Sequence, residues 1–135
     1  MKEGWYNDDY WMMCEDQQES EHLTTLYGIR KYIPDYFIVG LKGWDYFILC
    51  DRNSHYFTVP TLPVNHKEIK AFHLPEPMRL ESDDKLTKKI KWYVKPIAFG
   101  GDPSSDENIA WLTTEEHSDC VKWWNQIYQD TTNSK

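Results

Sequence analysis

Short runs of bulky apolar residues, separated by turn residues, dominate the first half of the chain after residue 35. Three such runs lie at 36–39, 46–50 and 56–59, with Gly43 and the polar stretch 51–55 between them. Aromatic and β-branched residues favour pleated strands, whereas Gly, Asn, Asp and Ser favour turns. The pattern predicts three antiparallel strands, and the continuous apolar run at 46–50 indicates a strand buried on both faces.

The segment from Lys88 to Phe99 alternates between apolar and basic residues. Ile90, Trp92 and Val94 fall on one side, and the intervening positions are mostly lysines. Because successive residues of a strand point to opposite faces, the alternation predicts a strand with one buried face and one basic face. Pro96 predicts either an edge strand or the end of pairing. The four prolines between 60 and 77 leave room only for a helical turn at 67–72.

Two helices are predicted, one near each end of the chain. The first spans Gln17 to Tyr27 and ends at Gly28, a residue typical of helix C-termini. The second begins at Thr113, which forms a capping box with Glu116. At 100° per residue, one face of this second helix carries His117, Cys120, Val121, Trp124, Ile127 and Tyr128. The predicted fold is α+β, a single domain over 1–135, with an antiparallel sheet of about four to six strands packed by an N-terminal helix and a C-terminal amphipathic helix.

Length and composition limit the class of protein. The 135 residues are 40% apolar and 27% charged, which is typical of a globular chain. No apolar run approaches the ~18 residues of a membrane span, and the acids among the first twenty residues argue against a signal peptide. The three cysteines are odd in number and form no Cys-x-x-Cys pair. We therefore expect reduced thiols in a cytoplasmic protein.

The net charge of -7 is concentrated in two acidic segments. Residues 1–21 carry seven acids against one lysine, and residues 102–119 carry six acids and no lysine or arginine. Such a surface disfavours nucleic acid, whose phosphates require Lys and Arg, and it favours a cationic partner. The alternative is that these acids only keep the protein in solution.

The residue patterns of common active sites give weak signals. His117 and Cys120 are spaced for shared metal ligation, but both lie on the apolar helix face, which favours a core role. Adjacent carboxylates diverge in direction, and the Gly100–Gly101 loop lacks the ending of a phosphate loop. The lysines of 88–95 resemble a nucleic-acid face, yet outward lysines also protect edge strands from aggregation, and we favour that role. We expect no catalytic residues, no metal and no cofactor.

Aromatic residues make up 16% of the chain, more than a core of this size can enclose. Trp and Tyr are common in protein-binding surfaces, and six of them are candidates for exposure: Trp5, Tyr6, Tyr10, Trp11, Trp44 and Trp123. Aromatic residues beside acids suit a basic protein partner and favour a binding module over an enzyme. The predicted partner-binding residues are Asp8, Asp9, Tyr10, Trp11, Trp44, Asp102, Asp106 and Glu107.

The segments 38–51 and 56–60 carry a resemblance to a known family. A Gly-Trp-Asp approach leads into the apolar strand Tyr46–Cys50, which is followed by Asp51, a short turn and an aromatic strand that ends at Pro60. This arrangement resembles the sheet core of the SUKH superfamily, and the segments at 32–36 and 96–124 are similar to its entry and tail. The family consists of bacterial α+β proteins, many of which are immunity proteins that neutralise polymorphic toxins. The resemblance implies toxin binding and brings no catalytic or binding residue with it.

The leading hypothesis is a cytoplasmic immunity protein that binds a cognate toxin, such as a basic nuclease, as a monomer or weak dimer. It does not involve nucleic acid or a membrane. The alternative is a non-enzymatic adaptor or scaffold that binds a cellular protein through the same surface. A small enzyme, and a nucleic-acid binder that uses the face at 88–95, are the remaining hypotheses.

Overall fold

Residues 1–133 are described by a computed structural model of the chain. Six strands form one antiparallel sheet in which neighbours along the chain are also neighbours in space. They are β1 (Lys2–Tyr6), β2 (Asp9–Met13), β3 (Phe37–Lys42), β4 (Tyr46–Cys50), β5 (Tyr56–Pro60) and β6 (Lys70–Ala71). A second antiparallel sheet contains β7 (Ile90–Tyr93) and β8 (Ile109–Leu112), and the helices are α1 (Gln17–Tyr27) and α2 (Thr114–Asn133). The α+β prediction is confirmed.

Side chains satisfy the free backbone groups at the start of both helices. The Oδ1 of Asp16 accepts from the N–H of Glu19, 2.8 Å away, at the start of α1. Thr113 and Glu116 exchange two hydrogen bonds of 2.9 and 3.2 Å at the start of α2, so the predicted capping box is confirmed. Gly28 ends α1 in the left-handed region, with φ 64°.

The hairpin of β1 and β2 turns on two residues in the left-handed conformation. Asn7 has φ 51° and Asp8 has φ 67°. Asn and Asp tolerate this region better than other residues with a side chain, and consecutive left-handed residues match the twist of a two-residue hairpin. The turn places Asp8 and the start of β2 beside the tip of the neighbouring hairpin.

One face of the six-stranded sheet packs against the helices and forms the main core. α1 lies against β3 and α2, and β7 contributes Ile90 and Trp92 to the same apolar cluster. Each fully buried aliphatic or aromatic side chain contributes about 1.5–3 kcal/mol relative to exposure. Buried Asn125 joins α2 to the segment after β5, since its Oδ1 accepts from the N–H of Val64 and its Nδ2 donates to the carbonyl of Thr61, both at 2.8 Å.

The second face of the sheet is covered by residues 72–81, which we call the crossing segment. It leaves β6 at one edge of the sheet, Phe72 contacts the Trp11 ring of β2, and Glu81 pairs with Trp5 of β1 at the other edge. Gly4 permits this approach, because a Cβ there would lie 2.6 Å from the Glu81 carbonyl oxygen. Under this cover Ile48 is 0% exposed and Trp11 is 2% exposed.

Several expectations are corrected by this arrangement. Tyr10 and Trp11 were expected on the surface, and both are buried, Tyr10 against the core and Trp11 under the crossing segment. The strand predicted over 88–99 is limited to Ile90–Tyr93, and after one further backbone bond from Val94 to Asn108 the chain turns into a loop. The helical turn predicted over 67–72 is a 3-10 turn at His66–Glu68, followed by β6.

Neither helix within residues 1–133 combines the length and the apolar character needed to cross a membrane.

Candidate binding groove

A groove of about 360 Å³ lies where one end of the six-stranded sheet meets β7. Four short segments line it: the β3–β4 turn, the end of β5, three successive residues of β7, and the 3-10 turn that follows β7. Its lining residues are Trp44, Asp45, Tyr46, Pro60, Thr61, Leu62, Lys91, Trp92, Tyr93, Pro96, Ile97 and Ala98. The volume falls within the range of ligand pockets, and an apolar lining with few polar groups is typical of such sites.

The β3–β4 turn presents Trp44 in a conformation that bulky residues rarely adopt. Gly43 has φ 61° and Trp44 has φ 64°, and the left-handed region raises the energy of a residue with a side chain by about 1–2 kcal/mol. Three ring contacts hold the indole in place. It stacks on Tyr10 at 5.3 Å and meets Trp5 and Trp111 edge to face at 6.0 and 5.4 Å. Aromatic pairs contribute about 0.5–1.5 kcal/mol each, which offsets the backbone strain.

These four rings, Trp5, Tyr10, Trp44 and Trp111, form what we call the aromatic cluster. The cluster extends from the buried sheet surface at Tyr10 to the outside of β8, where Trp111 remains 45% exposed. The Nε1 of Trp44 is shielded from water and has no hydrogen-bond partner within residues 1–133. The cluster therefore gives the groove a rigid aromatic wall anchored in the sheet.

Large apolar side chains remain exposed around the groove. Tyr46 is 43% exposed and Ile97 is 53% exposed at its rim, and Trp111 adds the outer edge of the aromatic cluster. Contiguous exposed apolar surface on a small protein indicates an interaction site, and Trp and Tyr are the residues most enriched in binding hot spots. This surface favours a protein or peptide ligand.

Asp45 places an unpaired carboxylate in the groove. Its backbone carbonyl accepts from the N–H of Thr61 at 2.8 Å, but its side chain has no hydrogen bond or salt bridge within residues 1–133. The Asp45 side chain is exposed at the groove. Neighbouring protein atoms raise the pKa of Asp45 above its ordinary value, whereas the positive charges of Lys91 and Lys42 act in the opposite direction. A cationic group of a ligand can pair with this exposed carboxylate, so Asp45 favours a basic partner.

The loop from Lys95 to Asn108 carries the second acidic segment. Asn108 closes the loop: its Oδ1 accepts from the N–H of Lys95 at 2.7 Å, and its Nδ2 donates to the carbonyls of Lys95 and Asp102 at 3.0 and 3.2 Å. Gly101 permits the closure, because a Cβ there would lie 1.7 Å from the Lys95 carbonyl oxygen. The groove wall at 96–98 and the exposed acids Asp102, Asp106 and Glu107 therefore belong to one ordered loop.

Replacing Asn108 with Ala should loosen this loop while the sheet stays intact. The variant loses three hydrogen bonds worth about 1 kcal/mol each in partly exposed surroundings, so we expect the free energy of unfolding to fall by about 1–2 kcal/mol. Amide hydrogen exchange should accelerate at Lys95 and through the loop. Asn53→Ala, in the exposed β4–β5 turn, is the control and should leave both measurements unchanged. Equal exchange in Asn108→Ala and in the unmodified protein would contradict the role of Asn108.

The predicted partner-binding residues are only partly brought together. Asp9 lies beside the β3–β4 turn, where its Oδ2 pairs with the Nζ of Lys42 at 3.1 Å, and Trp44 covers the buried Tyr10. Asp8 is exposed in the adjoining turn. Trp11 lies on the opposite face of the sheet, under the crossing segment, and does not line the groove. Among the other expected aromatic residues, Trp123 is exposed as predicted, and Trp5 and Tyr6 are half-buried.

Several groove residues were not predicted from the sequence. Asp45 and Tyr46 at the groove, and Trp111 of the aromatic cluster beside it, have no local pattern that marks them as binding residues, and Trp111 reaches Trp44 only through the packing of β8 against the sheet. The alternation over 88–95 identified the strand and its lysines, which was the available signal for β7. It gave no indication that one edge of this strand lines a groove.

The chain matches no family model, no curated protein and no solved structure.

The core position expected for His117 is confirmed. The side chain is fully buried, and its Nδ1 lies 2.6 Å from the Tyr27 hydroxyl oxygen. Burial lowers the pKa of His117 to about 3, and it raises the pKa of the half-buried Cys120 thiol. Within residues 1–133, no three His, Cys, Asp or Glu side chains are grouped closely enough to hold a metal ion.

Proposed function

We propose that this protein is a cytoplasmic immunity protein that binds a cognate bacterial toxin and covers its active site. One observation carries the proposal: the groove combines exposed aromatic side chains with the unpaired Asp45 carboxylate, between two acidic segments. The resemblance of the central strands to SUKH proteins supports the same function. In this proposal the chain inhibits by binding, and none of its residues acts as a catalyst.

Charge and apolar surface would have different roles in such a complex. Carboxylates around the groove attract a cationic toxin and orient it during the encounter, which raises the association rate. Exposed rings of Tyr46 and Trp111 bury apolar area once the partner is seated, which slows dissociation. The pairing of acids with aromatic residues therefore favours a basic effector such as a nuclease.

The direct test is co-expression with the product of the adjacent gene, with cell survival and co-purification as readouts. Rescue of cells from a toxic neighbour, together with a stable complex of one copy each, is the expected result. A complex with a non-toxic cellular protein would favour the adaptor alternative instead. Toxicity that persists despite co-expression, with no complex, would exclude this neighbour as the cognate toxin and count against the proposal.

Reversing charge in the acidic loop should slow association with the toxin. In Asp106→Lys combined with Glu107→Lys, we expect the association rate constant to fall about tenfold at low ionic strength, with a smaller difference at high salt. The matched control reverses two exposed acids outside the groove, Glu76→Lys with Asp84→Lys. Stopped-flow or surface plasmon measurements give both rate constants. Equal slowing in the two double variants would show that only net charge matters and not the position of the loop.

A further inference from the structure

Strand β7 has only one strand neighbour. It pairs with β8 along one edge, and within the described chain no strand adds to its other edge. The groove is lined by three successive residues of this strand, 91–93. Since neighbouring side chains point to opposite faces, contact with three in a row indicates that the backbone edge itself borders the groove.

The hydrogen-bond register shows which backbone groups lie at this edge. The N–H of Val94 donates to the carbonyl of Asn108 at 2.8 Å, and this pair continues the β7–β8 register. Directly bonded pairs alternate with unbonded pairs in an antiparallel ladder, so Trp92 bonds to Ala110 across the ladder, whereas Lys91 and Tyr93 direct their N–H and C=O groups away from β8. Within residues 1–133, no other group accepts a hydrogen bond from these two amides.

We propose that the groove captures an extended segment of the partner as an additional strand on the free edge of β7. This inference rests on the proposed function for the identity of the partner, a cationic toxin. The backbone of the segment would bond to Lys91 and Tyr93, and its side chains would contact the aromatic wall at Trp44 and Tyr46. Strand addition of this kind draws affinity from backbone bonds and specificity from the flanking side-chain pockets.

The charged side chains at the groove indicate which kind of segment can bind there. The unpaired carboxylate of Asp45 favours a segment with a basic side chain at one position. A second copy of this chain fits poorly, because pairing its β7 with this edge would place two strands side by side that each carry Lys89, Lys91 and Lys95 on or next to them. The Nζ of Lys91 lies 5.3 Å from the centre of the Tyr93 ring, which disfavours further basic residues at that end. The occupant is therefore a segment with one basic side chain among uncharged β-branched residues.

A synthetic peptide with this pattern, Ac-Val-Arg-Val-Thr-Val-NH2, tests the inference without the toxin. With the peptide at about ten times its Kd, amide exchange at Lys91 and Tyr93 should slow about tenfold, because each site is then free only about a tenth of the time. Trp92, already bonded to β8, is the internal control and should change little. The same peptide with methylated internal backbone nitrogens should give no protection.

The Asp45→Asn variant tests the charge selection. It preserves the backbone bond to Thr61 and should weaken the arginine peptide several-fold, with no effect on a peptide that carries Gln in place of Arg. Absence of protection at millimolar peptide, or equal protection by the methylated peptide, would overturn the inference. Protection in concentrated protein alone, together with dimer formation, would assign the edge to a second copy and also overturn it.

The two proposals fail in distinguishable ways. A toxin complex that leaves Lys91 and Tyr93 in rapid exchange refutes strand addition and preserves the immunity function. Protection by the peptide, with neither a toxin complex nor rescue of the cells, supports strand addition and counts against that function.

Discussion

Acidification from pH 7 to pH 5 should lower the free energy of unfolding by about 2 kcal/mol through His117 alone. Burial lowers the pKa of His117 to about 3 in the folded protein, against a value of about 6.5 in the unfolded chain. Below about pH 6.5 the unfolded chain therefore binds a proton that the folded protein does not bind. The contribution of His117 to the free energy of unfolding is fully present above the pKa of the unfolded chain. It decreases by about 1.4 kcal/mol per pH unit as the pH falls from there toward the pKa of the folded protein.

The surroundings of His117 explain this resistance to protonation. The imidazole lies among the rings of Tyr27 and Trp92, with ring centres 5.4 and 5.3 Å away, and its Nε2 has no partner within residues 1–133. Its polar contact is the Tyr27 hydroxyl at Nδ1. Within residues 1–133 no hydrogen bond or ion pair joins a carboxylate to the ring, so a charged imidazolium would be buried without compensation.

Urea unfolding followed by tryptophan fluorescence at pH 7, 6 and 5 measures the effect. The variant His117→Gln keeps a polar group near Tyr27 and does not titrate, so its stability should change little over this range even though its absolute stability is lower. His22→Gln removes a solvent-exposed histidine of α1 and should retain the full pH dependence. A pH dependence equal in His117→Gln and the unmodified protein would contradict the assignment.

Three hydrogen-bonded carboxylates and Asp45 also contribute to the pH dependence of stability. Hydrogen bonds lower the pKa of Glu19, Asp51 and Asp102, so their contributions are lost only as the pH falls below about 4. Burial raises the pKa of Asp45, which opposes acid unfolding because the folded state then holds that proton more tightly. The difference in pH dependence between the unmodified protein and His117→Gln therefore measures the contribution of this histidine.

Local signals predicted the elements whose ends they determine. Gly28 and the Thr113–Glu116 capping box define helix boundaries through backbone groups within a few residues, and both helices lie where these signals place them. The apolar runs at 46–50 and 56–59 likewise became β4 and β5. Such features depend on neighbours along the chain, which a sequence pattern contains.

The features that the sequence predicted wrongly depend on contacts between residues far apart along the chain. Trp11 looked available for binding because nothing near it in the sequence covers it, but the crossing segment folds over it from more than sixty residues away. The alternating pattern continued past Tyr93, yet Asn108 draws Lys95 into a loop and ends the strand. The groove could not be predicted for the same reason, because Trp44 and Trp111 become neighbours only when β8 is placed against the β3–β4 turn.

The exposed rings of Tyr46 at the groove rim and Trp111 in the aromatic cluster should contribute strongly to toxin affinity. Trp111→Ala and Tyr46→Ala should each weaken toxin binding about thirtyfold, equivalent to about 2 kcal/mol, which is typical of aromatic hot spots. Both rings are nearly half exposed in the free protein, so their removal leaves the core intact and affects chiefly the complex. The loss should appear in the dissociation rate, since apolar contacts form after the partner is seated.

Trp123→Ala is the matched control, because this tryptophan is 60% exposed on α2 and belongs neither to the groove lining nor to the aromatic cluster. Its affinity for the toxin should equal that of the unmodified protein. Circular dichroism and urea unfolding of all three variants would show that the fold is preserved. If Trp123→Ala weakened binding while Trp111→Ala and Tyr46→Ala did not, the interface would lie on α2. Exposed aromatic surface alone does not distinguish these two sites; the unpaired carboxylate and the free β7 edge favour the groove.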